Sequence, residues 1–135
     1  MKNDVLFTNR GANVGNVALV GEDLDDANIG PQLTFLRVGK HILPSFLYFA
    51  LQTKYFKYQL SILDSGSAMN FFGIGTTEKL LITCPPESEQ KQICKFISSV
   101  KSNIEMAEQK LAQTQALKKS LMQDLLTGKR RVQVN

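Results

Sequence analysis

Tryptophan is absent, histidine occurs once (His41) and cysteine twice (Cys84 and Cys94). A structural zinc site needs about four Cys, His or acidic ligands in close spacing. Here there is no Cys-x-x-Cys pair and no second histidine. The two cysteines read as reduced thiols of a cytoplasmic protein, packed near the start of a helix. His41 sits on a strand-to-helix connection and reads as an exposed or capping side chain, because a Ser-His-Asp arrangement has nothing else to draw on. No apolar run approaches the ~18–20 residues of a membrane span. Nor does a signal peptide follow Met1-Lys2-Asn3-Asp4. The Gly-x4-Gly-Lys-Ser/Thr loop of nucleotide hydrolases is missing, and Gly11 with Gly15 is a weak glycine pair. Asp23, Asp25 and Asp26 read as a solvated acidic loop without a catalytic partner. The expectation is a non-catalytic protein with no metal and no cofactor.

One further absence organises the chain. From Glu87 to Thr127 there is neither glycine nor proline. Across that stretch Ile93, Ile97, Val100, Ile104, Ala107 and Leu111 recur in steps of four and three, the spacing of a coiled-coil seam. Thr114 and Lys118 interrupt it, and the seam shifts to Leu117, Leu121 and Leu125. Pro85-Pro86, Glu87 and Glu89 suit a helix start, and Gly128 with Lys129, Arg130 and Arg131 suits its end. Such a helix is about 60 Å long. The residues before it make a body of roughly 25–30 Å, so at least half of the helix is expected to project, and its stripe to need a partner helix.

The net charge is +4. Residues 1–85 carry seven basic and seven acidic side chains, so the excess lies in residues 86–135, with nine and five. A uniformly basic globular face is therefore not expected.

Short strands are expected at Asp4–Thr8, Asn16–Val20 and Leu33–Val38, from their β-branched and aromatic content. Asn9 to Gly15 reads as a loop, as do residues 21–31. Pro44 opens a helical pattern that continues to about Leu63. Asp64 to Gly75 reads as a glycine-rich loop, Thr76–Lys79 as one helical turn and Leu80–Thr83 as a last short strand. The fold class is α+β: a small mixed α/β domain (1–85), one long coiled-coil helix (86–128) and a basic tail (129–135).

The order of these pieces, with Val14-Gly15-Asn16-Val17-Ala18-Leu19-Val20, Phe46-Leu47-Tyr48 and Gly66-Ser67-Ala68, resembles the specificity subunit of type I restriction-modification systems. The most specific parts are Pro85-Pro86 leading into Glu89-Gln90-x-x-Ile93, and the ending Leu125-Leu126-Thr127-Gly128-Lys129. The resemblance implies a DNA target recognition domain followed by a long helix. In an intact subunit two such units pair antiparallel, read a two-part site and dock methyltransferase subunits that bring S-adenosylmethionine. With one unit and one helix, and with its first strand early, this chain resembles a truncated C-terminal half. The resemblance implies double-stranded DNA, methyltransferase subunits and a second copy of the chain as partners, and no membrane. The alternative is a coiled-coil scaffold without DNA affinity, which the neutral charge of residues 1–85 favours.

Candidate DNA contacts are Asn9, Arg10, Asn13, Lys54, Lys57 and Asn70. Arginine pairs bidentately with guanine and asparagine with adenine. Against that, Asn and Gly are also ordinary turn residues. Lys54 and Lys57, beside Tyr55 and Tyr58, suit phosphates or simply the solvated face of a helix. Of Phe71 and Phe72 at least one is expected in the core.

Overall fold

The computed structural model describes residues 2–22, 27–63 and 71–133. Three short strands, β1 (Val5–Thr8), β2 (Val17–Leu19) and β3 (Leu33–Leu36), form an antiparallel sheet in the order β2-β1-β3. They are followed by α1 (Pro44–Ala50), α2 (Lys54–Leu63), the single turn α3 (Ile74–Thr77) and the long α4 (Glu87–Leu126). The architecture is α+β. The chain divides into two compact units, residues 1–95 and 96–135, so the first turns of α4 belong with the sheet.

The core follows from the period of two in β1. Val5 and Phe7 point to the same face and are fully buried. Leu47 and Leu51, Phe56 and Leu60 of the second helix, and Phe72 close over them. The Phe7 and Phe56 rings meet edge to face, 6.1 Å between centroids. The β1–β2 connection turns through Gly11 (φ +87°) and Gly15 (φ +89°), which non-glycine residues adopt only at a cost. At Gly15 a β-carbon would also lie 2.9 Å from Leu60 Cδ1, so this position leaves no room for a side chain against α2.

Two expectations need correction. The helix opened by Pro44 is not continuous to Leu63. It stops at Ala50, and Thr53 starts a new one by accepting the Phe56 N–H on its hydroxyl at 3.2 Å, an N-cap bond. Nor is Leu80–Thr83 a strand. Leu80 and Ile82 do pack on the core, but the backbone partner of this segment is a side chain. Gln59 accepts the Leu81 N–H on Oε1 (2.8 Å) and donates Nε2 to the Leu81 carbonyl (2.7 Å). The amide of one glutamine thus replaces a ladder rung. The turn expected at Thr76–Lys79 forms slightly earlier, as α3. The acidic run at residues 23–26 and the Gly66-Ser67-Ala68 motif lie outside the described residues.

The start of α4 is tied down by one buried side chain. Gln90 is fully buried. Its Oε1 accepts the backbone N–H of Leu43 (2.8 Å), and its Nε2 donates to the carbonyls of Pro85 (2.8 Å) and His41 (2.9 Å). Leu43 is the residue that precedes the Pro44 start of α1. One side chain therefore fixes both helix starts. Beside it Cys94 is buried against the Ser45 hydroxyl, and Cys84 is exposed. At the other end of α4, Gly128 takes φ +73° and the Arg130 N–H bonds the Asp124 carbonyl. Asp124 also draws in Lys129 and Arg130, at 3.6 and 3.9 Å.

Candidate nucleic-acid interface

The sequence candidates of the first unit fall into two places. Asn9 and Arg10 follow directly on β1, which runs through the middle of the sheet. Asn9 is turned inward: its Nδ2 donates to the Thr34 hydroxyl at 2.8 Å, and its Oδ1 is buried without a partner. Its backbone is held on both sides, with its N–H on the Gln32 carbonyl and its carbonyl accepting the Phe72 N–H. Arg10 pairs with Phe71 in an isolated antiparallel bridge. Its guanidinium lies 4.5 Å from the centroid of the Phe71 ring. The two adjacent phenylalanines therefore divide their roles. Phe72 enters the core, and Phe71 is half-exposed under the arginine.

Arg10 and Phe71 line a groove of about 670 Å3 together with Asn9, Phe35, Ile74 and Glu78. An adjoining groove of about 370 Å3 shares Phe35 and contains Asp4 and Arg37. There the Arg37 fork grips the Asp4 carboxylate at 2.8 and 2.7 Å, and its plane lies 5.3 Å from the Phe35 ring. The Asp4 side chain is only 7% exposed, against 51% for Arg37. The hydrogen bond from Arg37 outweighs desolvation and holds the Asp4 carboxyl at about 2, below the usual 3.8. The sequence reading did not single out Asp4 or Arg37, which are more than thirty residues apart with no local signal linking them.

The second place is the β1–β2 hairpin beside α2. Lys57 lines a pocket of about 380 Å3 with Ala12, Asn16 and Ser61. Asn13 is exposed at the hairpin tip, and Lys54 is exposed one turn before Lys57. Asn70 lies outside the described residues.

Of the helix-pairing candidates, Ile93 and Ile97 are half-buried. Val100, Ile104, Leu111, Leu117, Leu121 and Leu125 are exposed large apolar side chains, and Ala107 is exposed as well. Among the described residues no cluster of three or more His, Cys, Asp or Glu could hold a metal, and no helix is long and apolar enough to cross a membrane.

These features define an α+β module with a cation-and-aromatic groove, continued by a long helix with exposed apolar side chains. Residues 1–116 match the family described as type I restriction modification DNA specificity domain, and the chain belongs to that family. It is 31% identical over 135 residues to the type I restriction enzyme MjaVIII specificity subunit of Methanocaldococcus jannaschii, an alignment covering 95% of this chain and 31% of that protein. A putative type I restriction enzyme MjaX specificity subunit of the same organism is 29% identical over 141 residues, covering 96% and 33%. The chain thus spans about a third of the length of the curated relatives it matches.

Proposed function

We propose that this chain is a DNA sequence-specificity module of a type I restriction-modification complex. It reads one half of a two-part target in double-stranded DNA and docks methyltransferase subunits, without chemistry or cofactor of its own, in the cytoplasm. The family match over residues 1–116 carries this reading. Arg10 and Asn13 contact bases, and Lys54 and Lys57 contact phosphates; the exposure of Asn13, Lys54 and Lys57 and the groove around Arg10 support these roles. The exposed apolar residues of α4 pair antiparallel with the same helix of a second copy. Two identical units related by a two-fold axis read inverted half-sites separated by an unread spacer.

Selection of bound sequences from a random DNA pool, with the chain in complex with its methyltransferase subunits, tests the reading. An enriched site made of two inverted halves is expected. A single unrepeated half would refute the symmetric pairing, and the absence of any enriched sequence would refute the DNA-reading role.

A second reading, a coiled-coil scaffold without DNA affinity, is favoured by the equal numbers of basic and acidic residues in positions 1–85. It predicts DNA binding that is absent or independent of salt. Phosphate contacts instead give a steep fall in affinity as salt rises.

A further inference from the structure

Two arginines of the first unit lie over phenylalanine rings, and they differ in one respect. Arg37, over Phe35, spends its fork on both oxygens of Asp4. Arg10, over Phe71, has no hydrogen-bond or ion-pair partner among the described residues. A cation over a ring face is held without any hydrogen-bond acceptor, so the guanidinium keeps N–H donors to spend. Arg10 is also anchored at its root. The antiparallel bridge to Phe71, and the Asn9 backbone bonds to Gln32 and Phe72, fix where the side chain leaves the sheet. The result is a donor fork held at both ends with no acceptor.

From this we infer that Arg10 reads a guanine through N7 and O6 in the major groove, and that Phe71 is the positioning residue that holds the fork for it. The inference rests on the DNA-reading role proposed above. Three acceptor types match a planar fork: carboxylate, phosphate and the guanine edge. The Arg10 groove decides among them. Its lining includes the acidic residue Glu78 along with the apolar Phe35, Phe71 and Ile74. An anion entering there meets a like charge and loses its hydration against an apolar wall, whereas a neutral base edge carries only partial charge and loses far less on both counts. A base edge beside apolar side chains is also how thymine methyl groups are contacted, so the lining suits the neighbouring bases.

The test uses the full chain in complex with its methyltransferase subunits. It compares binding to the selected site with binding to the same site carrying another base at each guanine in turn, at several salt concentrations. Phe71→Ala should lower the preference for one guanine by about tenfold, with affinity for unrelated DNA and the salt slope unchanged. Phe71→Tyr, which keeps the ring, should restore that preference. Arg10→Ala should lose preference at the same base pair, and adding Phe71→Ala to it should cost little more. Because Phe71 is half-exposed and its bridge is made by backbone, both variants should fold. Two results would overturn the assignment. One is an unchanged guanine preference in Phe71→Ala. The other is a salt slope that falls by about one in Arg10→Ala, the mark of a lost phosphate contact. If the wild-type complex selects no sequence at all, the DNA-reading role itself fails and this inference falls with it.

Discussion

Gln90→Leu isolates the contribution of one side chain to the joint between the two helix starts. Leucine has a similar volume, so the substitution removes polarity and leaves little cavity. It removes a hydrogen bond from each of three backbone groups, the Leu43 N–H and the carbonyls of His41 and Pro85. A buried polar group left unpaired costs about 1–3 kcal/mol. The three are not equal here. His41 is an exposed residue whose carbonyl also accepts from the Cys84 thiol at 3.5 Å, whereas Leu43 and Pro85 are half-buried. Two costly groups and one inexpensive one give a loss of about 3 kcal/mol, of which leucine's extra apolar burial offsets about 1 kcal/mol. The expected net loss is therefore about 2 kcal/mol, a large part of the stability of a small domain.

Gln90→Glu sharpens the test because it adds a pH dependence of known sign. A carboxylate at this site can still accept from Leu43, but its other oxygen faces two carbonyl oxygens. The protonated form is thus favoured in the folded state, and the folded pKa lies above the unfolded value of about 4.3. A raised carboxyl pKa means that the folded state binds more protons. Stability is then highest below about 4.3 and falls as pH rises through the folded pKa, by up to about 1.4 kcal/mol per pH unit in that window. Urea unfolding followed by tyrosine fluorescence suits both variants. Tyr48, Tyr55 and Tyr58 all lie in the first unit, and there is no tryptophan to obscure them. A Gln90→Leu loss under about 0.5 kcal/mol, or a Gln90→Glu profile parallel to wild type between pH 4.5 and 7, would refute the assignment of Gln90 as the joint.

Asp4→Asn removes a carboxylate whose folded pKa of about 2 lies below its usual 3.8. A depressed pKa stabilises above 3.8 and loses that contribution as pH falls towards 2. The variant should unfold at lower urea at pH 7 by about 1 kcal/mol, discounted for the half-exposed Arg37, and the gap should close near pH 2. An equal gap at both pH values would contradict this. Gly15→Ala forces a positive φ on alanine and pushes a methyl group onto Leu60, so a loss of about 1–2 kcal/mol is expected; an unchanged urea midpoint would show that the hairpin can move off α2. Leu111→Asp or Ile104→Asp should convert a helix-paired dimer to monomers or aggregates in light scattering, and a wild-type chain that is monomeric at high concentration would dispose of the pairing.

Long periodic elements were legible in the sequence because many residues vote for them. The stripe from Ile93 to Leu111, the lack of glycine and proline, and the Gly128 stop place α4 to within two residues of its ends. The strands around Phe7, Ala18 and Phe35 were legible from β-branched and aromatic content, though each is shorter than expected. Features that hang on single side chains were not. The helix break at residues 51–53 leaves the apolar pattern intact, and only the Thr53 hydroxyl marks it. Leu80 and Ile82 alternate as strand residues do, yet the rung opposite Leu81 comes from Gln59, more than twenty residues earlier and on a helix. In the candidate interface the residue type of Arg10 was readable. Its stack on Phe71, some sixty residues away, was not, because no local period connects them.

The same contrast explains which motifs carried the family resemblance. Glu89-Gln90-x-x-Ile93 is among its most specific parts, and the amide of Gln90 is spent inside the protein. Gln90 is fully buried with its bonds going to backbone groups, and Ile93 is half-buried one turn later. A side chain that satisfies three backbone groups at fixed geometry cannot be exchanged without leaving one of them unpaired, so its residue type is set by the fold. A base-reading position has the opposite logic. Its side chain is set by the base it meets, and exchanging it alters the target rather than the stability of the protein. On the role proposed for them, a half-exposed Phe71 and the Arg10 above it follow this second logic, and the buried Gln90 the first. Arg10→Ala and Phe71→Ala should therefore alter the DNA selected and leave the stability within about 0.5 kcal/mol, the ordinary range for surface positions, and Gln90→Leu should do the reverse. A midpoint that falls as far in Arg10→Ala as in Gln90→Leu would show that the groove holds the fold together and that Arg10 is a structural side chain.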